Sequence, residues 1–161
     1  MSKTARGAAR QRLLDAAAQR FYADGIAATG IDTITTAAGV AKMTLYNNFA
    51  SKDELVAAYI EARHEEWLTL YRARVETAAT PRDAVLAVFD AYLDHAQAAY
   101  PHGFRGCGLL NAAAELPVGA PGRAAVRRHK EHVEAIVAEH LRAADVTDTA
   151  GKAEHLSFLL E

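Results

Sequence analysis

The chain has one cysteine, Cys107, and only four prolines and one tryptophan among 161 residues. A single cysteine excludes an intrachain disulfide and any zinc site built from several cysteines. No stretch approaches the roughly 20 consecutive apolar residues of a membrane-spanning helix, so we expect no membrane partner. β-branched runs are rare and alanine is abundant, which favours helices. We therefore predict a soluble, cytoplasmic, all-α protein with no metal and no cofactor.

Charge is distributed unevenly along the chain. Residues 1–52 contain seven Lys/Arg against three Asp, a net charge of +4, whereas the remainder contains eleven basic and seventeen acidic residues, a net charge of −6. A basic segment joined to an acidic body indicates that the basic part meets a polyanion such as nucleic acid. Chance scatter of surface charge is the alternative interpretation.

Apolar residues recur at helical spacing along most of the chain. Ser51 and Glu54 have the spacing of a capping box, which predicts a helix start at that point. The last predicted helix is still apolar where the sequence stops, without a Gly or Pro to end it, so we expect the chain to be cut inside a helix. The predicted helices cover roughly residues 6–24, 32–38, 42–49, 51–77, 80 onward, 107–116, 122–144 and 148 onward.

The two short helices at 32–38 and 42–49 flank the sequence Ala-Gly-Val-Ala. Gly39 suits the left-handed conformation that a chain reversal needs. This arrangement is typical of a helix-turn-helix, whose second helix lies in a major groove with its N-terminal residues against base edges. Leu45 and Phe49 face inward in this interpretation. An ordinary helical hairpin with a polar outer face is the alternative.

A longer pattern surrounds these helices: Phe-x-x-x-Gly at 21–25, then Thr29 and Ile34, Ala-Gly-Val at 38–40, Thr-Leu-Tyr at 44–46, Phe49, and Ser-Lys-x-x-Leu at 51–55. With these features, residues 10–55 resemble the DNA-binding domain of the TetR family of transcriptional repressors. The segment GCGLLNAAAELP resembles a subgroup of the family more weakly. Three positions depart from the pattern: Ala41 replaces the usual Ser, Gly30 the usual Thr or Ser, and Asn48 a frequent His.

The resemblance implies contacts with double-stranded DNA from the second short helix and its flanks. Amide side chains there can read adenine bidentately, while Lys and hydroxyl groups suit guanine or phosphate. Thr29 and Lys52 fall at phosphate-contacting positions, and the basic arm before the first helix can add backbone contacts. The predicted DNA-binding residues are Thr29, Lys42, Met43, Thr44, Tyr46, Asn47, Asn48 and Lys52.

The resemblance also implies two domains, a helix-turn-helix domain at 1–50 and a helical effector-binding and dimerisation domain at 51–161. The predicted pocket residues are bulky or polar groups on apolar stripes, each also explicable as plain core or surface: Trp67, Tyr71, Phe89, Tyr92, His95, Phe104, Cys107, Leu110 and Asn111. The predicted dimer seam, for which burial within one subunit is the alternative, consists of Val126, Val133, Val137, Leu141, Leu156, Leu159 and Leu160.

The resemblance thus implies a homodimeric transcriptional regulator, a repressor that an unknown small-molecule ligand releases from its palindromic operator. An activator role stays open. One alternative is a redox or electrophile sensor acting through Cys107, because a helix start and Arg105 both favour the thiolate. Another is a helical ligand-binding protein that has lost DNA binding.

An enzyme is not expected from this sequence. The glycine-rich segment GFRGCG has the wrong order for a dinucleotide-binding loop and follows no predicted strand. His129 and His132 lie one helical turn apart, but no HExxH pattern accompanies them, and the segment RRHKEH is more simply a solvated charged face.

Overall fold

The computed structural model describes residues 3–97 and 103–160, with side chains from residue 7 onward, and within these ranges all regular structure is helical. The predicted all-α fold is therefore confirmed. The eight helices of the described residues are α1 (Lys3–Asp24), α2 (Ile31–Ala38), α3 (Lys42–Tyr46), α4 (Lys52–Val75), α5 (Pro81–Gln97), α6 (Gly108–Glu115), α7 (Pro121–Ala143) and α8 (Thr149–Phe158). None of them is long and apolar enough to cross a lipid bilayer.

The start of α4 has the predicted capping box. The Glu54 backbone N–H donates to Ser51 Oγ over 3.1 Å, and the Ala50 N–H donates to Glu54 Oε2 over 2.7 Å. These two bonds satisfy N–H groups that have no partner within the helix. The prediction for α3 was too long, because the helix ends at Tyr46 and residues 47–48 form a turn. That turn carries the chain into the capping box.

The chain divides into two compact units. Unit 1 consists of Met1–Ala62 and Tyr100–Ala125, and unit 2 of Arg63–Ala99 and Val126–Glu161. In unit 1, α1 packs against α2, α3 and α6, and α2 packs against α3. Leu13, Ile34 and Leu45 are fully buried there. The predicted boundary near residue 50 separates DNA binding from effector binding, not one compact unit from another, and it stays a prediction.

A carboxylate from α6 holds the turn between α1 and α2. Both oxygens of Glu115 accept backbone hydrogen bonds, from the Ile26 N–H over 3.0 Å and from the Ala27 N–H over 2.8 Å. Gly25, which precedes these two residues, has φ of +91°, a conformation that favours glycine. We call these contacts the Glu115 clamp. It makes the end of α1 dependent on a residue almost ninety positions away.

The segment before α6 holds the same end of α1 from a second direction. The Arg105 guanidinium donates to the carbonyl oxygens of Tyr22 and Ala23, which lie in the last turn of α1. The Tyr22 hydroxyl accepts from the Arg105 backbone N–H and donates to the Gly106 carbonyl oxygen. A cation at a helix C-terminus also interacts favourably with the helix dipole.

Unit 2 has an aromatic core. Trp67 is 1% exposed and stacks on Tyr71, with ring centroids 5.4 Å apart and planes only 2° from parallel. Val133 and Val137 from α7 and Val88 from α5 complete this core, and each is at most 2% exposed. An offset parallel pair of this kind stabilises the fold by about 1 kcal/mol beyond the area it buries.

Candidate nucleic-acid interface and interior polar cluster

The turn between α2 and α3 depends on Gly39. Its φ of 61° and ψ of 42° are left-handed, and its N–H donates to the Thr36 carbonyl. The following Val40 N–H donates to the Thr35 carbonyl over 3.1 Å. These bonds close the end of α2, as in a Schellman motif. The chain then reverses and begins α3 at Lys42, without a side-chain cap from Ala41.

The helix α3 presents one buried and one exposed face. Leu45 and Phe49 are at most 1% exposed, which confirms that they pack inward. Met43 is 69% exposed and Tyr46 is 46% exposed. The two aromatics of this segment therefore have different environments, and only Tyr46 is positioned to meet a partner. Lys42 and Asn47 are also exposed on the outer side of α3 and of the turn that follows it.

The polar side chains of Lys42 and Asn48 on this surface have partners within the chain. Lys42 Nζ lies 2.8 Å from the Asp32 carboxylate, and this hydrogen bond and charge raise the pKa of Lys42. Asn48 is half-buried, and its amide donates to the Thr44 carbonyl over 2.8 Å. The Asn48 amide is thus positioned by the backbone of α3, with Thr44 itself half-buried.

The two residues predicted to contact phosphates point into unit 1. Thr29 is 1% exposed, and its hydroxyl donates to the Gly25 carbonyl over 2.6 Å. Lys52 is half-buried, and its ammonium donates to the Ile26 carbonyl over 2.6 Å. Both side chains therefore support the turn after α1, and a phosphate contact from either one stays a prediction. The spacing of these residues in the sequence did not predict that they would donate hydrogen bonds to carbonyl oxygens inside unit 1.

Arg10 of α1 places a cation beside the segment that follows α3. The Arg10 guanidinium lies 4.2 Å from the centroid of the Phe49 ring. A cation over an aromatic face contributes about 0.5–1 kcal/mol at an exposed site. The predicted basic arm before the first helix is part of α1 from Lys3 onward, and the side chains of Lys3 and Arg6 lie outside the described residues.

The predicted pocket residues fall into both units. Trp67, Tyr71 and Tyr92 come together in unit 2, where the rings of Trp67 and Tyr92 lie 5.4 Å apart. Phe89 and His95 of α5 belong to the same unit and are half-buried. The remaining four pocket residues belong to unit 1 and are Phe104, Cys107, Leu110 and Asn111. Phe104 is 62% exposed, and the Asn111 amide donates to the Arg105 carbonyl.

Cys107 occupies the N-cap position of α6 and is half-buried. Its side chain makes no capping hydrogen bond to the helix. Nothing here tests whether Cys107 packs against α6 or senses oxidants, and both stay predictions.

The fold brings together a group of histidines inside unit 2 that no sequence pattern predicted. His64 Nδ1 of α4 lies 2.7 Å from His129 Nδ1 of α7, and the Tyr92 hydroxyl lies 3.2 Å from His129 Nε2. On the same two helices, the Tyr71 hydroxyl lies 2.6 Å from His140 Nε2. His64 and His129 are 65 positions apart, so no local pattern could have paired them.

Burial determines the protonation state of this group. His129 is 3% exposed, and burial, followed by the nearby His64, Lys130, His132 and His95, lowers its pKa to about 3. His129 is therefore neutral at pH 7, with one ring nitrogen donating and the other accepting. Among the described residues, no group of three or more His, Cys, Asp or Glu side chains is arranged to hold a metal ion.

Several residues of the predicted dimer seam already lie in the core of unit 2. Val133, Val137 and Leu141 are at most 8% exposed and pack within this single chain. Val126 is 4% exposed. At the end of α8, by contrast, Leu159 is 63% exposed, and Leu156 and Leu160 are half-buried. The α7 residues are thus buried within one chain, as the alternative interpretation expected. A dimer seam that includes the leucines at the end of α8 stays a prediction.

Residues 13–59 match the family of bacterial regulatory proteins described as the tetR family. The chain is 35% identical to a TetR-family transcriptional regulator from Streptomyces coelicolor, whose crystal structure superposes with a TM-score of 0.87 over 96% of this chain and 80% of that one. These values extend the likeness well beyond the helix-turn-helix.

Two curated relatives match over a shorter stretch. A transcriptional activator from Mycolicibacterium smegmatis, FasR, is 34% identical over 85 residues, which are 53% of this chain and 39% of that protein. A transcriptional repressor from Mycobacterium tuberculosis, KstR2, is 33% identical over 82 residues, 51% of this chain and 41% of that protein. The chain therefore matches about two fifths of the length of these relatives, which are regulators rather than enzymes.

Proposed function

Since this chain belongs to the TetR family of bacterial regulatory proteins, we propose that it is a sequence-specific, DNA-binding transcriptional regulator. The observation that carries the proposal is the two-sided environment of α3. Leu45 fixes the helix to unit 1, while Met43, Tyr46 and Asn47 stand exposed on its outer side. A short helix held in this way after a left-handed glycine is the arrangement that places side chains in a major groove.

The protein acts as a homodimer in this proposal. Two recognition helices must reach successive major grooves about 34–36 Å apart, which one chain with one α3 cannot do. An operator with two inverted half-sites follows from the twofold symmetry. A small-molecule effector that prefers the non-binding conformation then releases the DNA, and a 100-fold release requires roughly 2.7 kcal/mol of differential affinity.

The direction of regulation is proposed as repression. The similar proteins include a repressor and an activator, so similarity alone supports neither choice. Repression needs only occupancy of the operator, whereas activation needs an additional contact with the transcription machinery. A redox response through Cys107 is a second candidate, favoured by its half-buried position at the N-cap of α6, where its side chain makes no capping hydrogen bond.

Selection from random DNA tests the proposal directly. The full chain is incubated with a pool of random duplexes at about 150 mM salt, and the bound fraction is sequenced, because salt sets how much non-specific binding survives. We expect enrichment of a palindrome whose half-sites are about 10 base pairs or a multiple apart. A folded dimer that enriches no sequence would contradict a DNA-reading role for α3.

Replacing Asn47 tests base reading by the turn after α3. If the Asn47 amide reads a base, Asn47→Ala removes about 1–3 kcal/mol of discrimination at one operator position. The measurement is a competition between the selected operator and single-base variants of it. Gln97→Ala removes an exposed amide from α5 in unit 2 and serves as the matched control. Equal profiles for the two variants would mean that Asn47 reads no base.

Removing the Asp32 charge tests the role of Lys42. In the protein, Asp32 neutralises Lys42 at 2.8 Å, so Asp32→Asn leaves that ammonium available to a phosphate. We expect tighter binding to every DNA sequence and a log–log salt slope steeper by about 0.9. Asp145→Asn makes the same charge change at an exposed position of unit 2 and is the control. Identical salt slopes for both variants would exclude a phosphate contact by Lys42.

A further inference from the structure

Two of the five residues of α3 are large apolar side chains that stand exposed. Met43 is 69% exposed and Tyr46 is 46% exposed. They are three positions apart, so they are neighbours on the surface of the helix. Leu45, which lies between them in the sequence, is buried and holds the helix to unit 1. We call the exposed side chains of Met43 and Tyr46 the apolar ridge of α3.

The polar side chains beside the ridge are held within the chain. Lys42 Nζ lies 2.8 Å from the Asp32 carboxylate, which neutralises its charge. The Asn48 amide donates to the Thr44 carbonyl oxygen over 2.8 Å, and both of these residues are half-buried. Within α3, the side chains that are exposed and belong to no ion pair are therefore the two of the apolar ridge.

The charge of the surrounding segment indicates which partner covers the ridge. An exposed apolar side chain gains free energy when a partner removes it from water. Residues 1–52 carry a net charge of +4, which favours a polyanion over an apolar protein surface as that partner. The partner is then double-stranded DNA, and the ridge requires an apolar counterpart within the major groove.

The major groove offers one methyl group as that counterpart. Every base pair presents hydrogen-bonding groups there, and thymine alone adds a C5-methyl group. A methionine side chain adapts well to such a group, because it is unbranched, rotates about three bonds and has a polarisable sulfur. Base pairs without the methyl group would place Met43 against polar edges, to which a thioether is only a weak acceptor.

We propose that Met43 determines specificity by packing on the C5-methyl group of a thymine in each operator half-site, with the Tyr46 ring beside it. This inference rests on the proposed DNA-binding function and specifies what α3 recognises. Recognition at this base pair comes from removing two apolar groups from water rather than from a hydrogen bond.

Replacing thymine by uracil in the selected operator tests the proposal. Uracil keeps every hydrogen-bonding group of thymine and lacks only the C5-methyl group. Each thymine is replaced in turn, and the affinity of the full chain is measured by fluorescence anisotropy at about 150 mM salt. We expect one position per half-site at which uracil lowers the affinity about fourfold, the value for burying one methyl group. Replacement in both half-sites should lower it about 15-fold.

A cytosine base pair at the same position provides the reverse test. Cytosine removes the methyl group and also changes the hydrogen-bonding groups of the base pair. 5-Methylcytosine restores the methyl group alone, so it should bind about fourfold more tightly than cytosine there. Equal binding of the two cytosine duplexes would show that hydrogen bonds set the preference, and it would overturn the proposal.

Variants of the chain assign the effect to one side chain. Met43→Ala should bind the thymine and uracil duplexes equally, whereas Met43→Leu retains an apolar end and should keep a difference of at least about twofold. Leu93→Ala removes an exposed apolar side chain from α5 of unit 2 and serves as the matched control. It should keep the full difference. A Met43→Ala variant that still prefers thymine about fourfold would assign the methyl contact to another residue and overturn the role of Met43.

The outcomes distinguish this inference from the proposed function. An enriched palindrome whose thymine and uracil forms bind equally at every position would preserve the regulator and overturn thymine recognition by Met43. A folded dimer that enriches no sequence would contradict the DNA-binding function and this inference with it. An enriched palindrome with a uracil-sensitive position that Met43→Ala abolishes would support both.

Discussion

Acidification from pH 6.5 to pH 4.5 is expected to lower the free energy of unfolding by about 2–3 kcal/mol through His129 alone. Its pKa is about 3 in the folded chain, against an ordinary value of 6.5. Between these values the unfolded chain binds a proton and the folded chain does not. Stability is therefore complete above pH 6.5 and falls as the pH drops toward 3. Urea unfolding at several pH values, monitored by circular dichroism, measures the slope.

A variant without the imidazole isolates this effect. His129→Gln retains hydrogen-bonding groups but cannot titrate, so its stability should vary less between pH 4.5 and pH 6.5. His155→Gln removes an exposed histidine from α8 and should keep the original slope. If His129→Gln does not fold, the ring proton resonances of His129 in the unmodified chain provide the same test. A His129 that titrates near pH 6.5 by NMR would contradict the assigned burial effect.

Replacing Gly25 by alanine is expected to destabilise the chain by about 3 kcal/mol, through backbone strain and loss of the Glu115 clamp. Its φ of +91° is unfavourable for any residue with a side chain, and an added Cβ would lie 2.9 Å from Glu115 Oε1. The methyl group would push the carboxylate away from the Ile26 and Ala27 N–H groups. Equilibrium unfolding in urea measures the difference.

Two further variants make this prediction specific. Gly7→Ala, in the helical part of α1 where an added Cβ meets nothing within 4 Å, should be neutral or stabilise by about 0.5–1 kcal/mol. In a Glu115→Ala background the clash at Gly25 is absent, so Gly25→Ala should cost less there by about 1 kcal/mol. Strictly additive effects of the two substitutions would mean that the glycine and the carboxylate do not interact.

Most helices could be predicted from the sequence because their signals are local. The Ser51 and Glu54 pair lies three positions apart, and the hydrogen bonds that it makes are within one turn. Gly39 likewise marks the end of α2 through its own backbone conformation. The inward positions of Leu45 and Phe49 follow from helical periodicity. The C-terminal end of α3 was harder to predict, because the turn at 47–48 retains helix-like hydrogen bonds.

The candidate sites were less predictable because they depend on distant partners. The hydroxyl of Thr29 and the ammonium of Lys52 can donate a hydrogen bond to a phosphate or to a backbone carbonyl oxygen. Only the folded structure shows that both donate to carbonyl oxygens of the turn after α1. His95 of α5 lies 3.9 Å from the Glu66 carboxylate of α4, although the two residues are far apart in the sequence. A sequence records the polar residue types but not which of them meet between helices.

The Glu115 clamp has a consequence for the construction of hybrid regulators. A transplant of residues 1–50 alone onto a foreign effector domain would omit Glu115 and Arg105. The Ile26 and Ala27 N–H groups and the last carbonyls of α1 would lose their partners. The structural support of the helix-turn-helix thus comes from two segments that are separate in the sequence. A hybrid that retains its geometry has to inherit residues 103–116 as well as the helix-turn-helix.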